Sequence, residues 1–143
     1  MIQRIQSIFL LLAAVFFFLE FAFPFFNSDT YTQGYFADST YDIQDHPALL
    51  GLTIAAGIIC LLAIFLYKNR SLQTSLVYVS IVLAIVLTAT MIILLQSNTP
   101  KFLEQSSPFI GSFLPLLSII FLVLSLRSIK KDDKLVKSMD RLR

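Results

Sequence analysis

The stretch 47-PALLGLTIAAGIICLLAIFLY-67 carries no charged side chain, and its single proline stands at the first position. A helix needs about 20 apolar residues to cross roughly 30 Å of hydrocarbon, so this segment has the length and the chemistry of a membrane span. Its start is marked: Asp45 offers a capping carboxylate ahead of Pro47, a residue suited to a first helical turn. Working outward from it, residues 5–26, 76–95 and 108–126 form three more apolar runs, the last opened by Ser107 and Pro108. The expected fold is an all-α integral membrane protein with four transmembrane helices. They occupy approximately 5–26, 47–67, 76–95 and 108–126 of a single membrane domain, 1–143, and a short amphipathic basic helix follows in the tail, 127–143.

Composition agrees with that reading. The chain of 143 residues is 57% hydrophobic and 14% charged, with a mean hydropathy of +0.79. Soluble domains carry about 25% charged residues spread along every element; here the charges gather in short stretches between long runs. The run at 5–26 is expected to stay as a span. It is longer than the apolar core of a signal peptide, and bulky phenylalanines stand where a cleavage site needs small residues. The lone cysteine, Cys60, excludes an intrachain disulfide and any thiol-pair redox chemistry.

Direction follows from lysine and arginine, which are retained on the cytoplasmic side of short loops. Given four spans, Arg4, Lys68, Arg70, Arg127, Lys130, Lys131, Lys134, Lys137, Arg141 and Arg143 fall on one side. The other side holds Lys101 with Asp29, Asp38, Asp42, Asp45 and Glu104. Both termini are therefore expected in the cytoplasm. The small multidrug exporters resemble this chain in size, span number and a first-helix glutamate, but their weak charge bias lets them insert both ways; the bias here is strong. The connection 27–46 mixes acids with Tyr31, Tyr35, Phe36 and Tyr41, which suits the headgroup level. A turn of interfacial helix is expected from Thr99 and Pro100.

Glu20 is the one charged residue inside a span, and such residues are functional candidates by default. With Phe16, Phe17, Phe23 and Pro24 at helical spacing around it, the carboxyl is expected as the neutral acid. Counting 1.5 Å per residue places it roughly 22 Å into the span, and the same count puts Thr53, Thr88, Thr90 and Ser112 in that layer. Pro115 has no N–H for the carbonyl of Gly111, so a free acceptor is expected there too. Interhelical hydrogen bonding is the plainer reading of this polar layer; a binding or proton-relay site is the sharper one. Asp42 and His46, with Asp38 and Asp45 nearby, have ligand chemistry, but one histidine among loop aspartates makes no metal site, and no metal or other cofactor is expected. Gly51-x-x-x-Ala55 and Ala56-x-x-x-Cys60 carry the small-residue spacing that lets helix backbones approach, within the chain or between copies.

In the tail, Leu135, Val136, Met139 and Leu142 recur at helical spacing among basic residues. That pattern suits an amphipathic helix lying on the inner membrane surface, where each basic residue near anionic headgroups contributes about 1 kcal/mol. The contacts assigned to Arg127, Lys130, Lys131, Lys134, Lys137, Arg141 and Arg143 are thus anionic lipid headgroups or a membrane or cytoplasmic protein partner. No nucleic-acid partner is expected from a net charge of +2.

The opening 1-MIQRIQSIFLLLA-13 and the closing 129-IKKDDKLVKSMDRLR-143 resemble a family of small four-span inner-membrane proteins of Bacteroidota, catalogued as domain of unknown function 4293. The resemblance implies a Gram-negative inner membrane and brings no activity, substrate or catalytic residue. P-loop, dinucleotide, nucleophile-elbow and zinc-protease patterns are all missing from the sequence, so a non-enzymatic role is expected. The sequence favours a structural or accessory subunit of a membrane assembly, docking through residues 127–143 together with Gln3, Arg4 and Gln6. The alternative is a small transporter or channel in which Glu20 titrates, although only Pro115 interrupts a span and the polar layer is shallow.

Overall fold

The computed structural model describes residues 2–28, 40–98 and 106–140. Four helices carry the chain: α1 (Ile2–Leu19), α2 (Pro47–Phe65), α3 (Arg70–Asn98) and α4 (Leu114–Asp140). Three short strands, β1 (Phe26–Ser28), β2 (Thr40–Tyr41) and β3 (Ser106–Pro108), and a 3-10 turn over Ile110–Phe113 lie between them.

The helix ends differ from the sequence reading in ways that backbone chemistry explains. α1 stops at Leu19, well short of residue 26. Pro24 disfavours helix for the residue before it, and the last turn tightens: the N–H groups of Glu20, Phe21 and Ala22 donate three residues back, to Phe17, Phe18 and Leu19. At α2 the cap is His46, whose Nδ1 accepts the Ala48 N–H at 3.1 Å. Asp45, the expected cap, instead accepts the N–H of Asp42 at 2.7 Å. α4 begins at Leu114, later than the expected 108, because Ser106–Pro108 are in the sheet. Pro115 therefore sits in a first turn, where its missing N–H costs little. The Gly111 carbonyl is not the free acceptor expected, since it receives the Leu114 N–H.

The sheet, absent from the sequence reading, runs antiparallel in the order β2-β1-β3, pairing Phe26 with Tyr41 and with Pro108. It closes one end of the helices. The interfacial turn expected from residue 99, and Tyr31, Tyr35 and Phe36, lie outside the described residues.

Each helix packs mainly on two neighbours: α1 on α2 and α4, α3 on α2 and α4. The Ser118 hydroxyl donates to the Ala13 carbonyl and that of Ser125 to the Gln6 carbonyl, both at 3.4 Å. These contacts fix an antiparallel register that sets Ile2 opposite Ile129. The start of α1 and the end of α4, together with the α2–α3 turn, thus lie at the end away from the sheet. Leu10, Phe17, Ala56, Cys60, Leu87 and Leu122 fill the interior. Of the small-residue positions, Gly51 is open, with nothing within 4 Å of the place a methyl would occupy, whereas Gly57 takes the ring edge of Phe18 against its backbone.

The exterior is as informative as the core. Ile8, Phe65, Val82, Ile85, Ile93 and Ile120 are each more than half exposed, so every helix turns apolar side chains outward. Water does not tolerate such continuous apolar surface on a monomer; hydrocarbon does. α2, α3 and the apolar part of the fourth-helix segment are long and apolar enough to cross a membrane, and Ile5–Leu19 of α1 forms a shorter apolar helix.

Candidate functional site

Two places gather polar chemistry, one at each end of the helices. Near the sheet, Glu20 is 1% exposed and Thr53 fully buried. The Thr53 hydroxyl donates to Glu20 Oε2 at 2.8 Å, joining α2 to the residue that follows α1. The other carboxyl oxygen, Oε1, is buried without a partner. The expected polar layer contracts to this pair. Thr88 donates to the Ala84 carbonyl of its own helix at 2.9 Å, Ser112 donates to the Phe109 carbonyl at 2.7 Å, and Thr90 is half-buried on α3. Both local bonds satisfy a hydroxyl within one turn, which removes its need for a partner across the interface.

The sheet lies at the same end of the helices. Tyr41, expected at headgroup level, is fully buried; its hydroxyl donates to the Met91 carbonyl at 3.3 Å and its ring lies 6.0 Å from that of Phe25. Gly111 brings its N–H to the Pro24 carbonyl at 3.1 Å, and a methyl there would collide with the carbonyl oxygens of Phe23 and Pro24. Asp42 and His46 spend their side chains on the turn before α2, Asp42 accepting the Gln44 N–H at 2.6 Å. Among the described residues no three ligand-type side chains gather; Asp38 lies outside them.

The opposite end is ionic. Arg70 opens α3 and pairs with Asp132 of α4, Nη2 to Oδ2 at 2.8 Å, while Nη1 donates to the Asp132 carbonyl at 3.2 Å. Lys130 donates to the Tyr78 hydroxyl at 2.6 Å and lies 5.2 Å from the centre of that ring. Arg127, Lys131 and Lys134 are exposed. The side chain of Lys137, and Arg141 and Arg143 entirely, fall outside the described residues.

The structure corrects the expectation for the tail. Residues 127–140 are not a helix separate from the segment before them. The described part continues α4, which runs unbroken to Asp140. The reason is in the sequence: neither Gly nor Pro occurs between Leu116 and Asp140 to break it. Since Ile2 stands opposite Ile129 and Arg70 meets Asp132, residues 134–140 run past both neighbours by about 10 Å. Leu135, 42% exposed, is uncovered on this extension. Gln6, grouped in the sequence reading with the contact surface, is 1% exposed and faces inward; the side chains of Gln3 and Arg4 are outside the described residues. Sequence reasoning also misses Gln73, whose Nε2 donates to the Ala63 carbonyl at 2.9 Å and ties α3 to the end of α2. A glutamine within an apolar helical stripe is the available signal.

A family model described as Domain of unknown function (DUF4293) matches residues 2–142. No curated protein and no solved structure matches the chain.

Proposed function

We propose, from the premise that the chain belongs to the DUF4293 family, that it is a non-enzymatic accessory subunit of a membrane assembly. In this reading all four helices span a bacterial inner membrane as a bundle, with both termini in the cytoplasm. The single observation that carries the docking role is the extension of α4 beyond its neighbours. A helix that only fixed topology has no reason to continue past the last contact that covers it, whereas residues 134–140 remain helical with Leu135 uncovered. Lys131 and Lys134 flank that apolar side chain, the composition of a helix that seats one face in a partner's groove and holds charge at the rim. Deletion of residues 135–143 is expected to leave the protein inserted and to abolish co-purification of its partner from native membranes. A partner retained at full yield by the truncated chain refutes the docking role.

One observation favours a second reading, a small transporter in which Glu20 exchanges a proton. Oε1 of that carboxyl is buried and unpartnered, and intramembrane acids with spare capacity are the usual proton carriers. The bond from Thr53 and the near-complete burial of the carboxyl weigh toward structural use.

A further inference from the structure

The seam between α3 and α4 carries two features that the docking role leaves unused. At the end away from the sheet, a cleft of about 380 Å³ opens between the first turns of α3 and the basic stretch of α4. Arg70, Ser71, Thr74, Ser75, Tyr78 and Lys130 line it together with Ile129 and Asp133. Farther along the same seam lies a groove of about 320 Å³ whose lining, from Ile85, Ala89, Ile92, Leu116 and Ile119 with the methyl-bearing face of Thr88, is apolar throughout.

We infer that this seam binds one phospholipid, its phosphodiester in the cleft and one acyl chain in the groove. The cleft offers what a phosphodiester monoanion needs. Arg70 is committed to Asp132, but Lys130 is bonded to a neutral phenol, which orients the ammonium without cancelling its charge. Ser71 and Ser75 stand exposed on the opening turns of α3, where the N-terminal helix dipole also favours an anion. The separation of the two features then selects a lipid over free phosphate. From Tyr78 to Ile85 is about 10 Å along α3, and from Ile129 to Ile119 about 15 Å along α4. Half of a hydrocarbon core roughly 30 Å thick is one acyl chain, so a chain hanging from the cleft ends in the groove. This inference rests on the membrane-spanning reading of α3 and α4 and not on any protein partner.

The test is native mass spectrometry of the full-length protein in detergent, titrated with phosphatidylglycerol. Saturable one-to-one binding is expected, absent with diacylglycerol, which lacks the phosphate, and not displaced by inorganic phosphate, which lacks the chain. Lys130→Gln is expected to weaken binding about fivefold, the effect of one basic residue at an anionic headgroup, while Lys68→Gln, exposed in the α2–α3 turn outside the cleft, leaves it unchanged. Ala89→Phe, which fills the groove without touching the cleft, is expected to weaken it as well. Equal binding of diacylglycerol, or equal loss in the two lysine variants, overturns the phosphate site. Displacement by inorganic phosphate, or an unaffected Ala89→Phe, overturns the acyl groove. Because no partner protein is involved, either failure leaves the truncation result standing on its own.

Discussion

The bond from Thr53 to Glu20 is a sensitive probe of what the buried acid does. Thr53→Val keeps the shape of the side chain and deletes the donor to Glu20 Oε2. Oε1 already has no partner, so the variant leaves both carboxyl oxygens unpaired in a fully buried place. Burying an unsatisfied polar group costs about 1–3 kcal/mol, and interhelical bonds in membranes average about 0.6 kcal/mol with a maximum near 1.7. From these two ranges a loss of about 1–2 kcal/mol is expected for Thr53→Val. Glu20→Leu is expected near the lower end of that range. The freed Thr53 hydroxyl can turn to a carbonyl of its own helix, as Thr88 already does to Ala84. Glu20→Gln retains an acceptor for Thr53 at nearly unchanged shape and is expected within about 0.5 kcal/mol of the parent. Reversible unfolding in mixed detergent micelles measures all three, and the double variant Thr53→Val/Glu20→Leu closes the cycle. A coupling of about 0.6–1.7 kcal/mol is predicted. A coupling indistinguishable from zero refutes the structural role of the pair. A Glu20→Gln protein that is stable but inactive in cells favours the proton-exchanging reading.

Gly111→Ala is expected to destabilise by about 1–3 kcal/mol, since its methyl meets two backbone carbonyls that cannot swing aside. Gly51→Ala, with open space around it, is expected to be neutral or to stabilise by up to about 1 kcal/mol through reduced chain entropy; thermal unfolding in detergent measures both, and reversed signs contradict the packing at the sheet end. Tyr41→Phe removes the hydroxyl bonded to the Met91 carbonyl and is expected to cost about 1 kcal/mol. If Tyr41 instead rested at the headgroups, the change would be silent in the same assay.

How much of this is legible in the sequence depends on the length scale of the signal. α2 and α3 are readable because an uninterrupted apolar run has one economical solution in a bilayer, and the structure keeps α2 within two residues of the reading at its far end. The end of α1 is not, because apolar content continues through Phe21, Phe23, Phe25 and Phe26, while Pro24 and the close approach of Gly111 decide where the helix stops. The sheet is invisible: strands of two or three residues show no alternation, and Tyr41 is buried by partners distant in sequence. Depth counting puts Glu20 and Thr53 in one layer, and a hydrogen bond joins the two, but the count carries no rotational information. It cannot separate Thr53, which faces Glu20, from Thr88 and Ser112, which satisfy themselves locally. Composition reads the tail as a surface helix; the missing helix breaker before it is the better guide. The pairing of Arg70 with Asp132 needs the register of α3 against α4, which no single-chain pattern supplies.

The orientation of the chain underlies both the docking role and the placing of every candidate contact, and site-specific labelling tests it directly. In a Cys60→Ala background, single cysteines are introduced at Ser39, in the long connection before α2, and at Ser138, exposed on the extension of α4. Cells with a permeabilised outer membrane are treated with a membrane-impermeant maleimide. Both termini in the cytoplasm predicts labelling of Ser39→Cys in these cells and labelling of Ser138→Cys only after the inner membrane is opened. Labelling of Ser138→Cys while the inner membrane is intact contradicts the orientation and, with it, a cytoplasmic contact surface on α4.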